Sequence, residues 1–390
     1  MPTGRGATIR AAVSRGVGLP PSIEDLHLAA PGPDEVRVEV TACAVCHSDL
    51  SYLDGTWATD FPLVLGHEAA GRVLELGRDP TGDLAVGDPV VVTLVRTCGD
   101  CRACHRGHDV ACHGTLALND RSPLADAGGN RIAQGLNVAG FAEQVVVHRS
   151  QVVRLPDDVD PLAASLLGCG VLTGSGAVTN TAGVAAGDAV AVVGCGGVGT
   201  GAIQAARIAG AEPIVAVDPS PDKRTSALRF GATHAVDPVA EDLDAAIASA
   251  TGGRLADHVL VTTGAPAALD GAVELLAPMG NLVIVGMAGD EVTMEVAPSW
   301  LAAANKSILG SKMGTIRVAE DVPALIEHHR GGRLDLHGMV STTHALDDIA
   351  EAFDEAWRGD VLRTVVLPNG RPTSVDATAA TKALQEEAPC

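Results

Sequence analysis

Aromatic residues make up only 2% of this 390-residue chain, acidic residues outnumber basic ones 48 to 27, and no apolar run is long enough to span a bilayer. Each scarcity excludes something. With so few aromatics, the core must be built from small aliphatic side chains. A formal charge of -21 would be repelled by the phosphates of a nucleic acid or of an anionic membrane, so neither is expected as a partner. With neither a spanning run nor an apolar signal segment behind Met1, the nine cysteines read as thiols of a reducing, cytoplasmic compartment, and no disulfide is expected. A chain of this length exceeds the size at which one core stops growing, so two domains are the default.

The cysteines that are present are not scattered. Cys98, Cys101, Cys104 and Cys112 follow a Cys-x2-Cys-x2-Cys-x7-Cys pattern, which suits a closed tetrahedral zinc site. The loop around them carries Gly99, Gly107, Asp100, Arg102 and Arg106. It has too little apolar surface to order itself, so a structural metal would supply the folding energy. His105, His108 and His113 stand close enough in sequence to replace one of the thiolates.

The first third of the chain reads as β structure. Residues 34–42 alternate polar and apolar side chains, Val90–Val95 and Gln144–Val147 read as further strands, and Gly66, Gly71, Gly77, Gly87 and Pro89 mark corners between them. From about Gly187 the pattern changes. Ala189–Val193, Ile214–Val217, Val259–Thr262 and Leu282–Val285 are apolar runs of strand length separated by helix-length stretches, the pattern of a parallel sheet with crossover helices. The segment 320–368 returns to mixed elements and ends in the strand-like Thr364–Leu367, and the tail after Pro368 has a disordered composition.

Gly194, Gly196 and Gly199 form a G-x-G-x-x-G run between the strand Ala189–Val193 and a helical pattern. The first glycine permits the tight turn, the second admits a pyrophosphate, and the third allows close helix packing. The helix N-terminus then offers unpaired N–H groups to the phosphates. Asp218 ends the next strand, where its carboxylate can accept both adenosine ribose hydroxyls and would repel a 2'-phosphate. Lys223 is the nearest cation in the sequence after it, so NAD is favoured over NADP.

A second set of soft ligands comprises Cys46 in Cys-His-Ser-Asp, His67 in Gly-His-Glu and Cys169 in Gly-Cys-Gly. Together with Gly66-His67-Glu68-Ala69-Ala70-Gly71, Gly87-Asp88, the cysteine lobe, the glycine run, Asp218 and Arg363, these residues make the chain resemble the zinc-dependent medium-chain alcohol dehydrogenases over nearly its whole length. Cys-His-Ser-Asp-Leu, Leu-Leu-Gly-Cys-Gly-Val and Arg-Gly-Asp-Val-Leu-Arg are similar to the actinobacterial thiol-adduct formaldehyde dehydrogenases within that family.

The resemblance implies an α/β protein: a GroES-like, β-rich catalytic domain (1–170 and 314–370, with the zinc lobe at 96–114), a doubly wound Rossmann domain (171–313) and a disordered tail (371–390). It implies two zinc ions per chain and NAD, with Cys46, His67 and Cys169 as ligands of a catalytic zinc whose open position takes the substrate. Hydride would pass between a primary or secondary alcohol and the nicotinamide. Asp49 would orient the imidazole ligand, Glu68 would assist ligand exchange, and Ser48 would carry the alcohol proton. His47 and Arg363 would contact the pyrophosphate, while Gly197, Val198, Thr173 and Lys223 would complete the cofactor site.

Trp57, Leu94 and Phe141 would line an apolar pocket suited to aromatic or medium-chain alcohols. The long segment between Cys112 and Phe141 implies a homodimer. One position departs from the pattern: the histidine that commonly ends the proton relay is Ser51 here. Two other activities remain open at this level: an S-(hydroxymethyl)thiol dehydrogenase of mycothiol or glutathione type, and a non-catalytic zinc- and dinucleotide-binding protein.

Overall fold

The computed structural model describes residues 6–78 and 83–370; the tail 371–390 lies outside them. The strands among the described residues, eighteen in all, run β1 (Ala7–Ser14), β2 (Ser22–Leu28), β3 (Glu35–Ala44), β4 (Leu63–Val64), β5 (Glu68–Leu76), β6 (Pro89–Val92), β7 (Leu124–Ala125), β8 (Arg131–Gln134), β9 (Gln144–His148) and β10 (Val152–Arg154). They continue with β11 (Val190–Val193), β12 (Ile214–Val217), β13 (His234–Val236), β14 (Ala256–Val261), β15 (Leu276–Ile284), β16 (Ser307–Gly310), β17 (Val340–Ala345) and β18 (Arg363–Leu367).

Strands β1, β2, β7, β8 and β4 close a small barrel. A seven-stranded sheet, β10-β6-β5-β3-β18-β17 with β9 also paired to β3, joins the first part of the chain to its last strands. Register matters for function here. β3 and β5 run antiparallel with Cys43 opposite Ala69 and Ala44 opposite Glu68, so Cys46, two residues beyond the end of β3, emerges beside His67, just ahead of β5.

The third sheet has the order β13-β12-β11-β14-β15-β16, all parallel. This is the 3-2-1-4-5-6 order of a doubly wound nucleotide-binding fold, and its strand order reverses between β11 and β14, where such folds bind ligands. One expectation fails: between β14 and β15 there is a 3-10 turn, Pro266–Ala268, and a run of tight turns in place of a crossover helix. Pro266 and Gly271, the latter at φ +70°, punctuate the segment too closely for a helix to propagate.

The segment that leads from Cys169 into the nucleotide part packs through backbone rather than bulk. The helix Gly170–Gly176, which continues into wider π turns over Ala177–Ala182, lies against the helix Gly197–Ala209. A Cβ on Gly174 would sit 2.1 Å from the Val198 carbonyl oxygen, and one on Gly201 would sit 3.0 Å from the Val171 Cα. Only glycine at 174 lets Cys169 and Thr173 stand beside the start of the glycine-loop helix.

No single helix among the described residues is long and apolar enough to cross a membrane. The bent pair Pro161–Gly168 and Gly170–Ala182 has a suitable length and composition, but most of its residues belong to the buried core. Gly174→Ala should cost about 1–3 kcal/mol through overpacking, lowering the thermal midpoint and weakening NADH binding together. Unchanged melting and unchanged NADH affinity would contradict the close-contact account.

Candidate metal centre and dinucleotide site

Asp49, fully buried in the short helix His47–Leu53, accepts three N–H groups. Oδ2 takes the Cys46 backbone N–H at 3.0 Å, and Oδ1 takes the Gly66 N–H at 3.0 Å and faces His67 Nδ1 at 3.1 Å. Because an ionised carboxylate only accepts, His67 Nδ1 carries a proton, and in the neutral ring, the form that binds a metal, the lone pair is on Nε2; in the metal-free site burial opposes charge on the ring, but Asp49 and Cys46 hold its pKa well above the ordinary value. That Nε2 is buried without a hydrogen-bond partner, and ligand atoms of Cys46, His67, Glu68 and Cys169 lie within 4.8 Å of one another.

The two sulfurs are inequivalent. A hydrogen bond between them holds Cys46 well below the ordinary thiol range and Cys169 well above it, with His67 adding to the first effect and burial to the second. Two thiolates this close cannot both ionise without a cation between them. Unpaired imidazole nitrogen, paired sulfurs and burial therefore fit a zinc ion held by these three residues, with the Glu68 carboxylate in the same cluster.

The third ligand arrives through tight backbone contacts. A Cβ on Gly168 would lie 2.7 Å from the Glu68 Cα, and one on Gly170 would lie 1.5 Å from Arg363 Nη2. The Gly-Cys-Gly context of Cys169 is thus a steric requirement. Glu68 Oε1 accepts the Gly170 N–H at 3.0 Å and pairs with Arg363 Nη2 at 3.1 Å, while Oε2 has no partner. Burial pushes the Glu68 carboxyl up to about 8 although Arg363 pulls the other way. Burial opposes charge on Arg363, but Glu68 and the two sulfurs hold its pKa above the ordinary value.

Arg363 also reaches the cofactor loop: a Cβ on Gly197 would lie 2.2 Å from its Nε. Gly194 takes φ +92°, and a Cβ on Gly199 would fall 1.8 Å from the Gly194 carbonyl oxygen. At Gly196 the same atom would meet nothing within 4 Å, which leaves an open cradle at the helix N-terminus fit for a pyrophosphate. Asp218 accepts the N–H groups of Cys195 at 2.8 Å and Ser220 at 2.9 Å. Arg224, which sequence reasoning passed over, donates to the Asp218 and Pro219 carbonyls and pairs with Asp237 at 3.1 Å. Its guanidinium is therefore committed elsewhere, while Lys223 Nζ points toward Gly359. Cys195 is fully buried, with its thiol raised to about 12 mainly by burial; it is a packing residue.

Around the metal centre, Ser48 Oγ lies 3.7 Å from Cys46 Sγ. Thr173 Oγ1 lies 3.9 Å from Cys169 Sγ, and Val198 is half-buried against the same core. The His47 side chain is exposed, whereas buried Ser51 donates its hydroxyl to the His47 carbonyl at 3.2 Å. Trp57 is half-buried, edge-on to Tyr52 at 5.5 Å, and Leu94 is half-buried between the core of the seven-stranded sheet and the larger core that continues into the parallel-sheet part. Phe141 corrects the pocket expectation: it is fully buried and packs edge-on against Phe353 at 5.4 Å, inside the core of the seven-stranded sheet. With so few aromatics in the chain, this ring goes to filling the interior.

In the lobe, the four sulfurs of Cys98, Cys101, Cys104 and Cys112 also lie within 4.8 Å of one another. Backbone N–H groups of Asp100 and Cys101 point at Cys98 Sγ, and that of Cys98 points at Cys112 Sγ. His105, His108 and His113 are exposed outside the cluster. Gly114 is a site residue with no sequence signal, since a Cβ there would fall 2.2 Å from Cys98 Sγ.

Comparison with known proteins agrees with this geometry. Residues 32–157 match the alcohol dehydrogenase GroES-like domain and residues 197–329 match the zinc-binding dehydrogenase model. The chain is 33% identical to geraniol dehydrogenase of Castellaniella defragrans, covering 92% of this chain and 97% of that one. It is 36% identical to alcohol dehydrogenase B of Mycobacterium tuberculosis, covering 89% and 95%. The crystal structure of benzyl alcohol dehydrogenase from Acinetobacter calcoaceticus superposes with a TM-score of 0.86 at 30% identity, covering 93% of this chain and 99% of that one. The chain belongs to the zinc-dependent medium-chain alcohol dehydrogenase family. It is a zinc-dependent oxidoreductase of alcohols that works with a nicotinamide dinucleotide.

Asp49→Asn, which removes the charge that orients His67, should lower affinity for one of the two zincs by roughly 10–100-fold. Titration with a chelator would then strip one metal early and leave the lobe metal in place. Two metals held as tightly as in the wild type would contradict the role given to Asp49.

Proposed function

We propose that this chain transfers hydride between NAD and a primary alcohol bearing an apolar substituent, at a zinc held by Cys46, His67 and Cys169. The observation that carries the reading is the partnerless, buried His67 Nε2 set among two sulfurs and joined by Arg363 to the open glycine loop. The metal supplies a Lewis acid that lowers the pKa of the alcohol hydroxyl. The protein's own groups do the rest. Ser48 takes the hydroxyl proton, and because Ser51 is committed to the His47 carbonyl, the proton leaves toward solvent beside exposed His47. Arg363 binds the pyrophosphate while neutralising Glu68, and Asp218 accepts the ribose hydroxyls, which favours NAD over NADP.

Trp57 and Leu94 give the substrate an apolar wall. Relatives that act on geraniol and benzyl alcohol support a substrate of that size and character. The catalytic part takes in 1–170 and 314–370, and the nucleotide part 171–313. A homodimer is supported by the edge position of β16 in its sheet and by the neighbouring helix Pro298–Ala304, which has no fully buried residue and carries exposed Trp300. Six of the eight described cysteines stand in the two ligand clusters, and the other two, Cys43 and Cys195, are buried, a usage that supports a cytoplasmic location.

NADH formation by the zinc-loaded protein against primary, secondary and aromatic alcohols tests this. Turnover of free aromatic or medium-chain alcohols is expected, with a loss of at least about a thousandfold in Cys46→Ser and sedimentation at twice the 39.4 kDa chain mass. Turnover of formaldehyde only when a low-molecular-weight thiol is added would move the activity to thiol adducts. NADP preferred over NAD would overturn the role given to Asp218.

A further inference from the structure

The two metal sites are connected through a segment that sequence reasoning left without a role. Met313, Gly314 and Thr315 take consecutive left-handed φ values of +50°, +67° and +52°. For methionine, and more so for β-branched threonine, that region is unfavourable and persists only where the surroundings hold it. On one side the turn is held by Cys169 and the helical segment that follows it: Met313 Sδ lies 3.6 Å from Cys169 Sγ and 3.4 Å from Thr173 Oγ1, and Thr315 Oγ1 lies 2.8 Å from Thr181 Oγ1. A Cβ on Gly176 would fall 2.5 Å from the Gly314 carbonyl oxygen, so backbone packs directly on backbone.

On the other side the turn is held by the cysteine lobe. Asp109, three residues before Cys112, accepts the N–H of Val318 through Oδ2 at 3.1 Å, across 209 positions of sequence. Val318 is the first residue of the thirteen-residue helix Val318–Arg330, where a carboxylate is favoured by the exposed N–H groups. The Arg317 stem lies against Gly107, and Val110 packs on the core cluster containing Cys169, Met313, Ile316 and Val318. An unbroken series of contacts therefore runs from the four-cysteine lobe through Asp109, the helix start and the strained turn to a ligand of the other metal.

We propose that Asp109 is a positioning residue: the lobe, ordered by its own metal, pins the start of the Val318–Arg330 helix, and this keeps the left-handed turn in place with Met313 against Cys169 and Thr173. The lobe thereby sets the geometry around Cys169 and Thr173. The inference rests on the reading of Cys169 as a catalytic zinc ligand and of Thr173 as a cofactor contact. Without Asp109 the turn relaxes toward the right-handed region and the sulfur of Met313 leaves Cys169.

The test compares zinc-loaded full-length Asp109→Ala, Asp109→Asn and Val318→Pro with the wild type, by zinc content, NADH affinity, steady-state kinetics and amide exchange. Asn keeps an acceptor oxygen. Pro removes the Val318 donor at the first helical position, where proline fits, and leaves the lobe untouched. In Asp109→Ala and in Val318→Pro we expect both zincs retained, amide exchange over 169–176 and 311–317 faster by about tenfold, and the NADH dissociation constant and the KM for NAD raised about threefold or more with a smaller change in kcat. Asp109→Asn restores most of the difference, and the double variant Asp109→Ala with Val318→Pro is no worse than either alone.

Unchanged exchange and NADH affinity in Val318→Pro would overturn the proposal, as would Asp109→Asn behaving like Asp109→Ala. If Asp109→Ala sheds the lobe metal, Val318→Pro alone decides. A wild type that binds one zinc or no NADH would instead overturn the site reading on which the proposal stands.

Discussion

The site depends on one buried carboxylate. Asp49 gathers the backbone N–H of Cys46, the backbone N–H of Gly66 and the Nδ1–H of His67, groups that belong to the ends of two antiparallel strands. A buried anion with no adjacent cation is costly. Three charge-assisted hydrogen bonds offset part of that cost, and a divalent cation across the imidazole offsets more. The same three bonds select the imidazole tautomer and aim Nε2 at the sulfurs. Folding and ligand geometry are therefore one constraint at this point: the β3–β5 register brings the groups together, and Asp49 fixes their orientation.

A second constraint is the closeness of backbone where the segment around Cys169 meets the glycine-loop helix. Gly168, Gly170 and Gly174 in one helical segment, and Gly197 and Gly201 in the facing helix, remove side chains where Glu68, Arg363 and the helices themselves must pass. Arg363 can then touch both Glu68 and the start of the glycine loop.

Much of this was legible in the sequence because the relevant signals are local. The cysteine spacing, the glycine run between a strand and a helix, Asp218 at the end of the next strand, and alternation in β3 each carry their meaning within a few residues. What was not legible depends on partners distant in sequence. Gly114 matters because of Cys98, and Gly170 because of Arg363. Arg224 is spent on the Asp218 and Pro219 carbonyls and Asp237, and Met313 gains a role only from Cys169 and Thr173. Phe141 was misplaced for a related reason: nothing local distinguishes a pocket ring from a core ring, and Phe353, which decides the matter, lies far along the chain. The β14–β15 connection was expected as a helix because its length allowed one, whereas Pro266 and Gly271 make it a series of turns.

The most direct test of the central claim, that Asp49-oriented His67 and the sulfurs of Cys46 and Cys169 hold a catalytic zinc, is an anomalous difference map at the zinc edge from crystals of the zinc-loaded protein. The account predicts two peaks per chain. One lies among Cys98, Cys101, Cys104 and Cys112; the other lies within bonding distance of His67 Nε2 and of both Cys46 and Cys169 sulfurs, at about 2.0–2.3 Å. A single peak confined to the cysteine lobe, with His67 Nε2 bonded to some other group, would contradict it.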